Sequence, residues 1–346
     1  MRSGVSRPTT VRGPAAAARD RAGLVTGLLS GALWGAAAVI LAEALTRRPL
    51  AGADALYAAP LVVAALHDCF AAVWVSAANA GGGRLRAVGA ALRTRDGLVI
   101  GAAALLGGPL AMSTYLLAID FSGASYAVAV SAVFPALGAL LGRLFLGDRL
   151  RGPAWAGVFL AVAGAAVASY APPAGASSHY VLGTLCAAVS AVGWAAEGVM
   201  VTHAMSRMPA LAALNIRELV SAASYLVVVV PAFGIVGLTG RTLVTPAGAL
   251  LVAASIAGAA AYLAYYRSLA LIGPARAMPP NSTYVLWTIG LTLAVTGDPP
   301  GWRLVLGGLV VVAGITLVAS FSGEVDAKPA TNVEPLPGPK RSGELD

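Results

Sequence analysis

Apolar and polar positions alternate along this chain in long blocks. Ten stretches of mostly apolar residues stand out, at 23–45, 55–77, 98–119, 126–146, 153–172, 181–204, 210–233, 247–271, 278–297 and 302–322. About 20 such residues, rising 1.5 Å each, cross the hydrocarbon core of a bilayer as one helix. The pattern therefore predicts an all-α polytopic membrane protein of ten transmembrane helices, numbered 1–10 in chain order. Residues 1–22 are basic and rich in proline and alanine, and read as a loose cytoplasmic arm. Residues 323–346 are polar and proline-rich, and read as a disordered cytoplasmic tail. The first apolar run is too long for the core of a signal peptide.

Composition agrees with this picture. The chain is 58% hydrophobic and 11% charged, with mean hydropathy +0.80. Soluble domains carry about 25% charged residues, so a soluble enzyme is excluded. The net charge of +8 invites a nucleic-acid partner, but the basic residues are segregated as in a membrane protein. With the N-terminus inside, nineteen Lys and Arg fall on inside segments or the adjoining helices, and Arg47, Arg48, Arg241 and Arg303 fall outside. That asymmetry puts both termini in the cytoplasm and leaves nucleic acid out. Cys69 and Cys186 sit in apolar runs and form neither a disulfide framework nor a metal site. The excess of arginine over lysine, with abundant alanine, points to a bacterial source and thus to the cell inner membrane.

The chain also repeats itself. Shifted by 150 residues, Tyr115 falls on Tyr265, Gly123 on Gly273, and Gly147-Asp148 on Gly297-Asp298. Gly157 falls on Gly307, Gly164 on Gly314, and His67-Asp68 on Arg217-Glu218. Helix 1 needs an offset of 160, which lays Trp34 on Trp194. The units are 23–172 and 181–322. Each holds five helices, so the second enters the membrane from the opposite side. Two inverted five-helix repeats are a transporter architecture, with the solute site near the midplane between them.

The segments that match between the repeats also carry a family resemblance. STYLLAIDFSGASYAVAVSAVFPALGALLGRLFLGDRLRGPAWAGVFLAVAGAAVASY in the first half resembles the EamA-type branch of the drug/metabolite transporter superfamily. AYYRSLALIGPARA and VTGDPPGWRLVLGGLVVVAGITL in the second half do so too, as does GLLSGALWGAAAVI at the start. The resemblance implies a small-solute transporter, since members move amino acids, nucleotide sugars, organic cations and other metabolites. It also implies a central cavity near Ser131 and Asn281. The chain departs from the family at Asp148 and Asp298, where glutamate is usual, and at His67, where helix 2 often carries arginine. Helix 9 lacks a proline matching Pro135.

Ionisable groups at membrane depth cost about 2.5–3.5 kcal/mol each on insertion scales and must face protein or water. Here they are His67, Asp68, Glu197, Arg217, Glu218 and Arg267. Each is either a pocket residue or part of a structural ion pair, and Arg267 can instead snorkel to the interface. Glu197 and Glu218 are the candidates for carrying a coupling proton. Trp34, Tyr115, Trp194, Tyr265, Tyr266 and Tyr284 are candidates for contacting solute, the first four recurring in both halves, and Ser131 and Asn281 are a repeat-matched polar pair beside them. Packing is the competing role for every aromatic residue.

The expected function is secondary transport of a small polar or zwitterionic, amino-acid-like metabolite by alternating access, with no cofactor and no metal. Membrane lipid is the other partner. Gly23, Gly27, Gly31 and Gly35 make one smooth helix face that suits either a homodimer contact or packing within the chain. A lipid or polyprenyl-carrier translocase is the alternative. An intramembrane enzyme is disfavoured, because His67, Asp68 and Cys69 point in different directions from one helix.

Overall fold

A computed structural model describes residues 14–52, 57–146, 149–150, 152–170, 177–205, 207–272 and 274–323. The expected arm before residue 14, the tail beyond residue 323 and Asp148 lie outside the described residues. Helix 1 is Pro14–Leu45, helix 2 Ala58–Gly81, helix 3 Arg95–Ser122, helix 4 Ala124–Phe145 and helix 5 Gly152–Ser169. Helix 6 is Tyr180–Ala204, helix 7 Ala210–Ala232 and helix 8 Pro246–Ile272. Helix 9 comes in two pieces, Pro274–Ser282 and Tyr284–Thr296, and helix 10 is Trp302–Phe321. Among the described residues, seven helices are long and apolar enough to cross a membrane, and helices 5 and 10 add shorter apolar stretches. The chain is an all-α polytopic membrane protein.

Helix 1 starts well ahead of its apolar run. Proline suits the first helical position and the alanines that follow are strong helix formers, so the last part of the expected arm is helical. Helices 4 and 9 both break midway. Helix 4 turns between Ser131 and Phe134, helix 9 at Thr283. The 150-residue shift superposes these breaks, although the prolines differ. Pro135 leaves the Ser131 carbonyl without its usual donor in one, and Pro279 and Pro280 precede the break in the other.

The pairing of helices shows the inversion directly. Gly157 on helix 5 packs against Gly314 on helix 10, where an added Cβ would lie 2.7 Å from the Gly314 carbonyl oxygen. Gly164 packs likewise against Gly307, at 2.8 Å. One number rises as the other falls, so these repeat-equivalent helices run antiparallel. Helices 2 and 7 do the same. Asn215 Nδ2 donates to Ser76 Oγ (2.8 Å), and Ser221 Oγ donates to Asp68 Oδ2 (2.5 Å). Helix 1 packs along helix 8, and helix 6 along helix 3. Gly23 meets Ile272 in the first pair, and Gly183 meets Phe121 and Ser122 in the second. The repeat offsets convert Gly23–Ile272 into Gly183–Ser122, so one contact is made twice.

Gly27, Gly31 and Gly35 face Pro280, Asn281 and Trp287 of helix 9. The smooth face of helix 1 is therefore filled within the chain and is not open to a second copy. The outward faces carry exposed apolar side chains such as Phe159, Val181 and Val227, as lipid contact demands.

Candidate functional site

Helices 2, 6, 7 and 8 bring their ionisable side chains to one buried point. Arg217 on helix 7 is its centre. Its Nε donates to Glu197 Oε1 of helix 6 at 3.0 Å. Its Nη1 donates to Glu218 Oε2 at 3.0 Å and to Asp68 Oδ2 of helix 2 at 3.4 Å. Its Nη2 donates to the Tyr262 hydroxyl of helix 8 at 3.3 Å, and its carbon lies 4.6 Å from the centre of a Tyr262 ring it overlies. Asp68 also accepts from Ser221 and pairs through Oδ1 with His67 Nδ1 at 3.0 Å. His67, Asp68, Arg217 and Glu218 are each no more than 1% exposed. A guanidinium offers five donors in a flat fork, which is why one arginine can serve three carboxylates.

Helix 3 is shaped to admit this cluster. It loosens into a π-helical turn at Leu106–Met112, through Gly107, Gly108 and Pro109. Proline supplies no N–H to the ladder, and two carbonyls there take side-chain donors. Trp194 Nε1 donates to Gly107 O and the Tyr225 hydroxyl to Gly108 O, both at 3.1 Å. A Cβ on Gly107 would overlap the Glu197 carboxylate, and one on Gly108 would overlap Ser221.

Beside the cluster lies a cavity open at one side. Its wall is aromatic, with Trp34, Phe134, Trp194, Tyr262, Tyr265, Tyr266 and Tyr284. Trp34 stands edge-on to Trp194 (5.8 Å) and Tyr262 (5.3 Å) and stacks on Tyr115 (6.1 Å). Ser30 and Asn281 add polar groups, joined by a 2.7 Å bond from Ser30 Oγ to Asn281 Oδ1. The hydroxyls of Tyr265 and Tyr266 are buried with no hydrogen-bond partner among the described residues. Such groups call for water or a ligand. Among the described residues that line the cavity, Glu197 alone carries a formal charge.

Most residues singled out by sequence thus come together. Trp34, Trp194, Glu197, Tyr265 and Asn281 line the cavity. His67, Asp68, Arg217 and Glu218 stand behind its wall. Tyr115 and Ser131 are fully buried next to it. Arg267 is exposed on the outer side of helix 8, apart from the cluster. Sequence reasoning passed over Ser30, Ser221, Tyr262 and the glycines of the π-helical turn. Helical spacing could have found three of them. Ser30 precedes Trp34 by four residues, Ser221 follows Arg217 by four, and Tyr262 precedes Tyr265 by three.

An inverted pair of five-helix bundles around an aromatic-walled cavity defines a membrane transporter of the drug/metabolite transporter type. The sequence profile of the EamA-like transporter family matches twice, over residues 21–170 and again over residues 181–320. This chain belongs to the EamA-like transporter family. It is 28% identical over 228 residues to Protein LicB of Haemophilus influenzae, covering 64% of this chain and 74% of that protein. A solved crystal structure resembles it with a TM-score of 0.56 at 21% identity, over 86% of this chain and 97% of the other. At that identity the likeness speaks for the fold.

Proposed function

We propose that this protein is a secondary transporter for a small polar metabolite bearing an ammonium group, working by alternating access and coupled to protons. The observation that carries this is Glu197, which is bonded to Arg217 through Oε1 and, among the described residues, is the one carboxylate lining an aromatic-walled cavity. Ammonium groups bind to aromatic faces with about 0.5–2 kcal/mol per contact and to carboxylates by charge. A zwitterionic, amino-acid-like solute is admitted by its ammonium end. Its carboxylate would find no free cation, since Arg217 is already engaged by Glu197, Glu218, Asp68 and Tyr262. The geometry therefore favours a cation over a zwitterion. Trp34, Trp194, Glu197, Tyr265 and Asn281 are assigned to the solute, with Tyr115 and Ser131 as their support. Asp68, Arg217 and Glu218, with His67, are assigned to coupling.

Charge supports the coupling. Three carboxylates surround one arginine, leaving two negative charges uncompensated when all are ionised. Bare buried charge is costly in a bilayer, so a closed intermediate needs added cations. The repeats 23–172 and 181–322 act as the two moving halves. The distribution of Lys and Arg supports a bacterial cytoplasmic membrane with both termini inside. We read the site as one for passage and not for bond breaking.

The test is uptake into proteoliposomes of tetramethylammonium, alanine and acetate. Tetramethylammonium is expected to move fastest and acetate not at all, and Glu197→Gln abolishes the cation uptake. Uptake of acetate, or cation uptake unchanged in Glu197→Gln, overturns the reading.

A further inference from the structure

We propose that the imidazole of His67 is the seat of the coupling proton, with Asp68 orienting it, and that it is a binding position separate from the solute position at Glu197. The inference rests on the reading of this chain as a proton-coupled transporter of a cation.

The first observation is the state of the ring. His67 Nδ1 lies 3.0 Å from Asp68 Oδ1. A neutral imidazole that donates this N–H to the carboxylate keeps its lone pair on Nε2. That atom is buried and has no hydrogen-bond partner among the described residues. It points at Gly258 of helix 8, where any Cβ would collide with it. Trp34 meets the ring edge-on at 6.3 Å. The ring is thus held by Asp68 while its basic nitrogen is left empty.

The second observation comes from the repeat. His67-Asp68 occupies the positions that Arg217-Glu218 occupies in the other half. Arginine stays charged at every accessible pH, whereas histidine gains and loses its charge between about pH 5 and 8. One half of the transporter thus holds a permanent cation where the other holds an imidazole.

The third observation is the charge around the ring. The ionisable groups linked to it are Asp68 on its own helix, Arg217 and Glu218 on helix 7, Glu197 on helix 6 and the Tyr262 hydroxyl on helix 8. Helix 1 adds only the uncharged Trp34. With the carboxylates ionised, these groups hold two negative charges in excess. One solute cation at Glu197 and one proton on His67 Nε2 bring the total to zero. The neutral form is the one that can close over, so solute and proton cross together, one for one. The proton binds the Nε2 lone pair from one side and leaves it to water on the other, with the Nδ1–H bond to Asp68 kept.

Two measurements on the full chain test this, with wild type, His67→Gln and His67→Arg. In solute-free titration from about pH 8 to about pH 5, wild type binds one proton per chain more than His67→Gln. Equal counts mean that the ring never charges, and overturn the inference whatever the solute. In proteoliposomes holding a pH dye, entry of tetramethylammonium, which carries no proton itself, acidifies the lumen for wild type. His67→Arg, whose fixed charge completes neutrality, still exchanges tetramethylammonium for itself without acidification, and His67→Gln does so far more slowly. Acidification that persists in His67→Gln overturns the inference and leaves the transport reading intact. Loss of exchange in both variants makes the ring structural, and also overturns it. Wild type that moves tetramethylammonium with no acidification refutes proton coupling itself. Wild type that moves none refutes the solute class, and the proton count then decides the inference alone.

Discussion

Replacing Arg217 with glutamine should damage this protein far more than replacing Glu197 with glutamine, although each change removes one charge from the same cluster. In the wild type one guanidinium answers Asp68, Glu197 and Glu218, at 3.0–3.4 Å. Arg217→Gln leaves three buried carboxylates with no permanent cation among them. Breaking a buried ion pair by removing one partner costs about 3–5 kcal/mol. Glu197→Gln leaves Arg217 with two carboxylates and lowers the excess negative charge by one. The glutamine carbonyl can still accept from Arg217 Nε, so its cost should stay within about 1 kcal/mol of zero. At about 2.1 cal/mol/K of unfolding entropy per residue, a chain of 346 residues shifts its melting point by about 1.4 °C per kcal/mol, so Arg217→Gln should melt roughly 4–7 °C lower. Cys69 and Cys186 are free and partly buried, so a thiol-reactive dye reports unfolding in detergent without added labels. Arg217→Gln melting level with wild type, or above Glu197→Gln, would falsify the picture of one arginine holding three carboxylates.

Three further outcomes follow from the packing. Gly307→Ala puts a Cβ 2.5 Å from both Ala168 N and the Gly164 carbonyl oxygen. Overpacking of this kind costs about 1–3 kcal/mol, read as a lower melt, whereas Gly290→Ala, which faces open space, should leave the melt unchanged. Gly107→Ala drives a Cβ into the Glu197 carboxylate. Cation uptake should fall about tenfold or more while the protein still purifies as a folded chain; normal uptake would dismiss the need for glycine there. Trp34→Ala removes a ring that meets Trp194, Tyr115, Tyr262 and His67. Half-saturation for tetramethylammonium should rise about tenfold, with partial recovery in Trp34→Phe, if cation–π contact is worth 1–2 kcal/mol here.

The spans and the inversion could be read from the chain because both are one-dimensional. An apolar run has a length, and a repeat has an offset. The azimuth of a side chain about its helix is a weaker signal, and the uncertain residues are of that kind. Arg267 looks like a pocket residue when only depth is considered. Tyr262, Tyr265, Tyr266 and Leu269 face the cavity at helical spacing, and Arg267 sits about 140° from Tyr262 around the axis. Its exposure follows from that phase. The meeting of Glu197 with Arg217 was legible in neither length nor phase. It depends on helix 6 approaching helix 7 past the π-helical turn of helix 3, where Gly107 leaves room for the Glu197 carboxylate.

The repeat itself says where the chemistry must come from. Gly108 makes room beside Asp68 and Ser221, and its equivalent Gly258 makes room for His67. Those matched glycines build two like sockets on opposite sides of the pseudo-axis. What fills the sockets is unlike. Arg217 faces His67 across the repeat, Glu197 has only Ala37 as its equivalent, and Tyr262 has only Met112. A fully symmetric pair of halves would place equal charges in both sockets, and a solute would find the same binding groups on either side. Here Glu197, Arg217 and Glu218 belong to the second half, and His67 and Asp68 to the first. An exchange of conformations between the halves therefore cannot restore the same electrostatic site. On the proposed mechanism it would carry Arg217 and His67 into each other's surroundings, and the difference between those two arrangements is the free energy that a bound ligand can bias.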